Sequence, residues 1–128
     1  MRESINKTED SDIEQCVILL ADDDLLAQDT LRDILTSRNH VVLTADSVKS
    51  AEQCLDAHSI DVAIVDLFLP DGDGLRIAQH ILATGLDTEV IILTANASLP
   101  SAIAAVTAGV SHYLEKPCHP KEILKLIA

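Results

Sequence analysis

Five short aliphatic runs recur along this chain, and each is followed by a segment whose apolar residues fall at helical spacing. The runs are CVILLA (16–21), VVLTA (41–45), DVAIVD (61–66), EVIILTA (89–95) and SHYLEK (111–116). The most apolar of them lack polar alternation, which is the signature of a strand buried on both faces. Strict alternation of such strands with helices admits few folds. It predicts an α/β domain, with a parallel sheet and helices on both of its faces. A chain of 128 residues holds one such domain.

The intervening segments carry the matching helix signals. LLAQDTLRDILTSRN places Leu31, Ile34 and Leu35 at helical spacing, and Asn39 suits its stop. Ser47 suits the N-cap of a helix through Ala57. Leu75, Ile77, Ala78, Ile81 and Leu82 mark a third helix, closed by Gly85. The stretch 98–109 predicts a fourth helix that starts after Pro100 and is capped by Gly109. HPKEILKLIA predicts a short last helix. Residues 1–15 are polar without a period and read as a flexible tail, leaving 16–128 as the domain.

Composition narrows the function. The formal charge is −12, from 21 acidic and 9 basic residues, too few cations to gather into a phosphate-backbone surface. Direct nucleic-acid contact by this domain is not expected. No apolar stretch is long enough to span a bilayer, and the first residues lack a signal-peptide apolar region. Three cysteines without metal-type spacing fit a reduced, cytoplasmic protein. Cys118 and the five histidines, His119 among them, show no pattern beyond packing or solvation.

The chemistry gathers at the strand ends. In an open parallel sheet the working site lies beyond the carboxyl ends of the strands. The first run ends in Asp22, Asp23 and Asp24, the third in Asp66, the fourth in Thr94 and the fifth in Lys116 before Pro117. Asp24 is read as a helix N-cap; any one of the others alone could be a cap, a strand hydroxyl or a solvated charge. Together they are harder to explain that way. Carboxylates about 5 Å apart repel by roughly 3 kcal/mol at an effective dielectric near 20, unless a cation lies between them. Mg²⁺, which keeps waters and takes few carboxylates, suits that place. An acidic pocket with Mg²⁺, an ammonium and a hydroxyl is suited to receiving a phosphoryl group, with Asp66 as the nucleophile.

ADDD, VDLFLPDGDG, LTANA and YLEKP resemble, in order and spacing, the receiver domain of two-component response regulators. The resemblance covers residues 17 to about 127. It implies a doubly wound, flavodoxin-like (βα)5 fold with strand order 2-1-3-4-5. It further implies that Asp66 is the phosphoacceptor for a sensor histidine kinase, and that Asp23 and Asp22 hold Mg²⁺ with Asp66 and the main-chain carbonyl of Phe68. Lys116 would pair with a phosphoryl oxygen, and the peptide to Pro117 would be cis. Thr94 and Tyr113 would be the switch residues. Phe68 and Asn96 occupy the two positions that tune phosphoryl persistence in the family. The surface of helix four, strand five and helix five would mediate homodimerisation on phosphorylation. Such a domain is a phosphoacceptor in a phosphorelay rather than an enzyme acting on other molecules.

The segment 93–117 resembles regulators that carry a short helix-turn-helix after the receiver, which implies transcription regulation and favours a receiver cut from a longer protein. Two enzymatic rivals fall away. A haloacid-dehalogenase-like phosphohydrolase needs a carboxylate where Phe68 stands, and nucleotide-binding domains need a glycine-rich loop that is absent. A receiver-like interaction module that works without phosphorylation remains the alternative.

Overall fold

A computed structural model of the chain describes residues 15–127. The tail read over residues 1–15 lies outside these, apart from its last residue. In chain order the elements are β1 (Val17–Ala21), α1 (Leu25–Ser37), β2 (Val41–Ala45), α2 (Val48–Ala57) and β3 (Val62–Val65). A hairpin of two-residue strands follows, β4 (Phe68–Leu69) and β5 (Gly72–Asp73), in the loop that holds Pro70, Gly72 and Gly74. Then come α3 (Leu75–Thr84), β6 (Glu89–Thr94), α4 (Leu99–Thr107), β7 (His112–Glu115) and α5 (Pro120–Ile127).

The five long strands form one parallel sheet in the order β2-β1-β3-β6-β7. With the hairpin set aside, this is the order 2-1-3-4-5. Burial follows position. Central β3 is buried at every residue, while the edge strands β2 and β7 each carry two exposed positions flanking a half-buried pair. Two apolar clusters fill the two faces. One joins Leu19, Val65 and Ile92 of the sheet to Val48 and Leu55 of α2, Ile77 and Ile81 of α3 and Ala105 of α4. The other joins Ile18, Leu20 and Ile64 to Leu35 of α1 and Ile123 of α5. Each fully buried Ile or Leu contributes about 1.5–3 kcal/mol by leaving water.

Helix ends form where the sequence signals them. Asp24 caps α1, accepting from the amides of Leu26 at 3.2 Å and Ala27 at 3.3 Å. Ser47 caps α2 through a reciprocal pair with Ser50. Asn39 and Gly85 take left-handed backbone with φ of 72° and 71°. One boundary differs from the sequence reading: α4 starts at Leu99, before Pro100, with Ser98 as its cap. Proline costs no hydrogen bond in a first turn, so it sits inside the helix rather than before it. Among the described residues, no helix is long and apolar enough to cross a membrane.

Candidate functional site

Asp22 follows β1 and Asp66 follows β3, and both are fixed by the sheet itself. The Asp22 amide donates to the Ala45 carbonyl at 3.1 Å, and the Asp66 amide to the Ala21 carbonyl at 2.9 Å. Gln28, buried on α1, donates to the carbonyls of both Asp22 and Ala45, at 3.0 and 3.1 Å. The ends of β1 and β2 are thereby tied to the helix above them. Carboxylate oxygens of Asp22, Asp23 and Asp66 all lie within 4.8 Å of one another, with Asp23 the exposed member.

Lys116, just past β7, reaches into this cluster. Its Nζ lies 2.8 Å from Asp22 Oδ2 and 3.2 Å from Asp66 Oδ2. Burial alone would lower its pKa, but the hydrogen bond and charge of Asp22, then those of Asp66, outweigh burial and hold the pKa above the ordinary lysine value. The side chain is an ammonium at any physiological pH. The remaining oxygens accept main-chain amides: Asp22 Oδ1 from Asp24 at 3.0 Å and Asp66 Oδ1 from Phe68 at 3.2 Å. Three carboxylates face one cation here. All the side-chain donor atoms are hard oxygens, a set that fits a hard divalent cation.

Of the residues singled out in the sequence, Asp22, Asp23, Asp66 and Lys116 come together directly. The Lys116–Pro117 peptide is cis. Thr94 ends β6 beside them, wholly buried, with its Oγ1 accepting from the Asn96 amide at 3.2 Å. Phe68 opens β4 with its ring more than half exposed. Tyr113 stands apart: its hydroxyl bonds to Ser101 and Ser98 of α4 rather than to the cluster. An apolar cavity of about 440 Å³ opens next to the cluster between α1 and α5, lined by Leu31, Ile34, Pro117 and Ile123.

Three supporting residues escaped the sequence reading. Gln28 is one. Gly74 is another: a Cβ there would lie 2.0 Å from the Asp66 carbonyl oxygen, so the loop after Asp66 closes only over a glycine. The third is Asp71, whose carboxylate accepts from the amides of Val48 at 2.7 Å and Lys49 at 3.0 Å. Those bonds to Lys49 and Val48 hold its pKa below the usual carboxylate range and tie the loop after Asp66 to the start of α2. The sequence hinted at this only through an aspartate in a turn. Cys118 carries a thiol that burial, with Glu122 nearby, pushes up in pKa, as suits packing rather than reactivity.

An open parallel sheet with an acidic cluster and a lysine at its carboxyl edge defines a phosphoacceptor class of signalling domain, and comparison with known proteins gives the family. Residues 18–128 match the response regulator receiver domain, and the chain belongs to that family. The transcriptional regulatory protein PhoP of Escherichia coli K12 is 32% identical over 107 residues, 84% of this chain and 48% of that protein. The chain thus spans about half the length of the curated relatives it matches. A CheY-like response regulator receiver domain protein from Methanospirillum hungatei JF-1 superposes with a TM-score of 0.82 at 28% identity, covering 89% of this chain and 91% of that one. A Burkholderia pseudomallei response regulator, solved with a phosphorylated aspartic acid, a calcium ion and citrate, gives 0.82 at 28% identity over 90% and 67%.

Proposed function

We propose that this receiver domain takes a phosphoryl group on Asp66 from a sensor histidine kinase and relays its presence to an output domain or partner. The observation that carries the reading is that the Asp66 carboxylate lies within reach of the Lys116 ammonium, which it shares with Asp22, and clusters with the carboxylates of Asp22 and Asp23. Asp22, Asp23 and Asp66, with the main-chain carbonyl of Phe68, would hold Mg²⁺, which when bound neutralises charge on the transferring phosphoryl oxygens. An Asp66 oxygen attacks phosphorus; the P–O bond forms as the P–N bond to the donor imidazole breaks. Lys116 follows the phosphoryl oxygens as they gain charge, and Thr94 donates its hydroxyl to one of them. Tyr113 responds on the neighbouring strand, and the surface of α4, β7 and α5 changes to favour a homodimer.

Likeness to PhoP supports transcription regulation as the output, carried by a part of the protein outside this domain. The charge of −12 supports a domain that leaves DNA contact to that part. The domain acts on its own aspartate rather than turning over other substrates, and a cytoplasmic location suits a kinase-dependent switch.

The test is intact-protein mass after incubation with acetyl phosphate, with and without Mg²⁺, on the wild type and Asp66→Asn. One phosphoryl adduct on the wild type only, dependent on Mg²⁺, is the expected result. An adduct that persists in Asp66→Asn, or none in either, sinks the assignment and leaves a receiver-shaped interaction module.

A further inference from the structure

The hydroxyl of Tyr113 ends inside the cap of α4. Ser98 Oγ accepts from the Ser101 amide at 3.2 Å, and Ser101 Oγ accepts from the Ser98 amide at 3.2 Å. Ser101 Oγ can also donate to the Ser98 carbonyl, 3.0 Å away. The same Oγ is hydrogen-bonded to the Tyr113 hydroxyl, and either of these two hydroxyls can donate. The Ser98 amide also lies 3.4 Å from the phenol oxygen. A helix cap does not require this. The matching cap of α2 pairs Ser47 with Ser50, whose hydroxyl has Asp46, a close chain neighbour, as its further side-chain partner, while the more distant Asp71 meets only main-chain amides there. At α4 the cap serines reach across to a side chain on a strand, Tyr113 of β7.

That strand residue is coupled to the acidic site by short connections. Tyr113 pairs in register with Ile92, two residues before Thr94, so all three side chains share a sheet face. The face is the one α4 covers, since Ile92 and Ala105 belong to one apolar cluster and Tyr113 packs against it. Only residues 95–97 separate Thr94 from Ser98.

Resting on the reading of the site as a phosphoryl switch, we propose that Ser101 is a positioning residue that latches Tyr113 to the cap of α4 in the unphosphorylated chain, making release of the ring and displacement of that cap one event. The pull of a phosphoryl group on Thr94 reaches Ser98 through residues 95–97 and opens the latch. Ser101 thereby sets the resting population of the switch. Removing its hydroxyl removes a partner of the resting state alone, and the phosphorylated arrangement gains by about five-fold, the factor that one net hydrogen bond carries.

Tyr113 is the only tyrosine and the chain has no tryptophan, so intrinsic emission reports this ring alone. Beryllofluoride, which mimics the aspartyl phosphate, is titrated with Mg²⁺ into the full chain as wild type, Ser101→Ala and Ser101→Thr, and tyrosine emission is followed. Ser101→Ala is expected to reach half-saturation at about five-fold lower beryllofluoride, and Ser101→Thr to return to the wild-type value. Tyr113→Phe removes the same bond and leaves the cap whole. It should speed adduct formation from acetyl phosphate by a similar factor. A Ser101→Ala half-saturation equal to wild type, with only a lower urea midpoint, makes Ser101 a plain cap and overturns the latch. Adduct on Asp66 with no change in emission also overturns the latch while the acceptor reading stands; no adduct in any variant overturns both.

Discussion

Gly74→Ala probes how tightly the loop from 67 to 74 closes on Asp66, the proposed acceptor. Gly74 has φ −59° and ψ −21°, which alanine adopts readily. On backbone grounds alone the change would stabilise by about 0.4–1 kcal/mol. Space argues the other way. The new Cβ would meet the Asp66 carbonyl oxygen at 2.0 Å, and the Asp66 carbonyl carbon and Val65 Cγ1 at 2.9 Å. An ordinary carbon–oxygen contact is about 3.3 Å, so loop and strand end have to part by about 1 Å. The Gly74 amide is bonded to the Leu67 carbonyl at 2.7 Å and Val65 is wholly buried, so movement breaks a bond or opens the core. Overpacking of this kind costs about 1–3 kcal/mol; the upper end, less the backbone gain, leaves about 2 kcal/mol. In urea that is a fall of about 1 M in midpoint. Under the proposed chemistry, displacing Asp66 by about 1 Å should also slow adduct formation from acetyl phosphate by about 10- to 100-fold. Gly85→Ala is the control: nothing lies within 4 Å of a Cβ there, and only its φ of 71° is strained. It should cost about 1 kcal/mol and leave adduct formation unchanged. A Gly74→Ala protein with an unchanged or higher midpoint and wild-type adduct formation would refute the close-approach argument.

Lys116→Met removes the cation between Asp22 and Asp66, whose side chains are only 14% and 12% exposed. Breaking a fully buried pair costs about 3–5 kcal/mol; partial exposure reduces this to about 1–2 kcal/mol. The Tm in EDTA should fall by about 5 °C and recover in part with Mg²⁺, and a Tm equal to wild type in EDTA contradicts the ion-pair account. His40 gives a pH prediction. It is buried, its Nδ1 accepts from the Cys16 amide at 3.0 Å, and burial holds its pKa below the ordinary histidine value. The unfolded ring titrates near about 6.5, so the unfolded chain binds the proton first; stability is complete above that pH and falls as pH drops through it toward the lower folded value. His40→Asn keeps an acceptor without titrating and should flatten the urea midpoint between about pH 7.5 and about pH 5.5. Parallel curves for the two proteins would show that His40 is not responsible.

What the sequence displayed was whatever interrupts a pattern. Asp66 and Lys116 stand out because each ends a strand run, and strand ends in this topology share one edge. Asp24, Ser47 and Gly85 were legible as helix punctuation for the same reason. The supporting contacts were not, because they join residues far apart in the chain. Asp71 serves the start of α2 from 22 and 23 residues away. Gln28 looks like an ordinary helix-surface residue until β1 and β2 are brought beneath it. Tyr113 was visible by its offset from Lys116, yet its partner Ser101 was not, since a serine in a first turn already has a local role. Gly74 reads as a turn glycine, whereas its conformation is helical and its requirement is room.

The charges of the site give a physical reason why one covalent event should move the fold. Asp22, Asp23 and Asp66 bring three negative charges against the single positive charge of Lys116. A divalent cation balances that excess. Under the proposed chemistry, phosphorylation removes the charge of Asp66 and adds close to two, together with three acceptor oxygens. The balance is lost again, and Lys116 is already shared with Asp22 at 2.8 Å. Another donor is needed. Thr94 is wholly buried, accepts from Asn96 and donates to no acceptor among the described residues. A buried hydroxyl without an acceptor costs about 1–3 kcal/mol, which a phosphoryl oxygen would recover. The loop from 95 to 97 and the cap of α4 would have to follow that hydroxyl, so the resting fold stores the deficit that the phosphoryl group relieves.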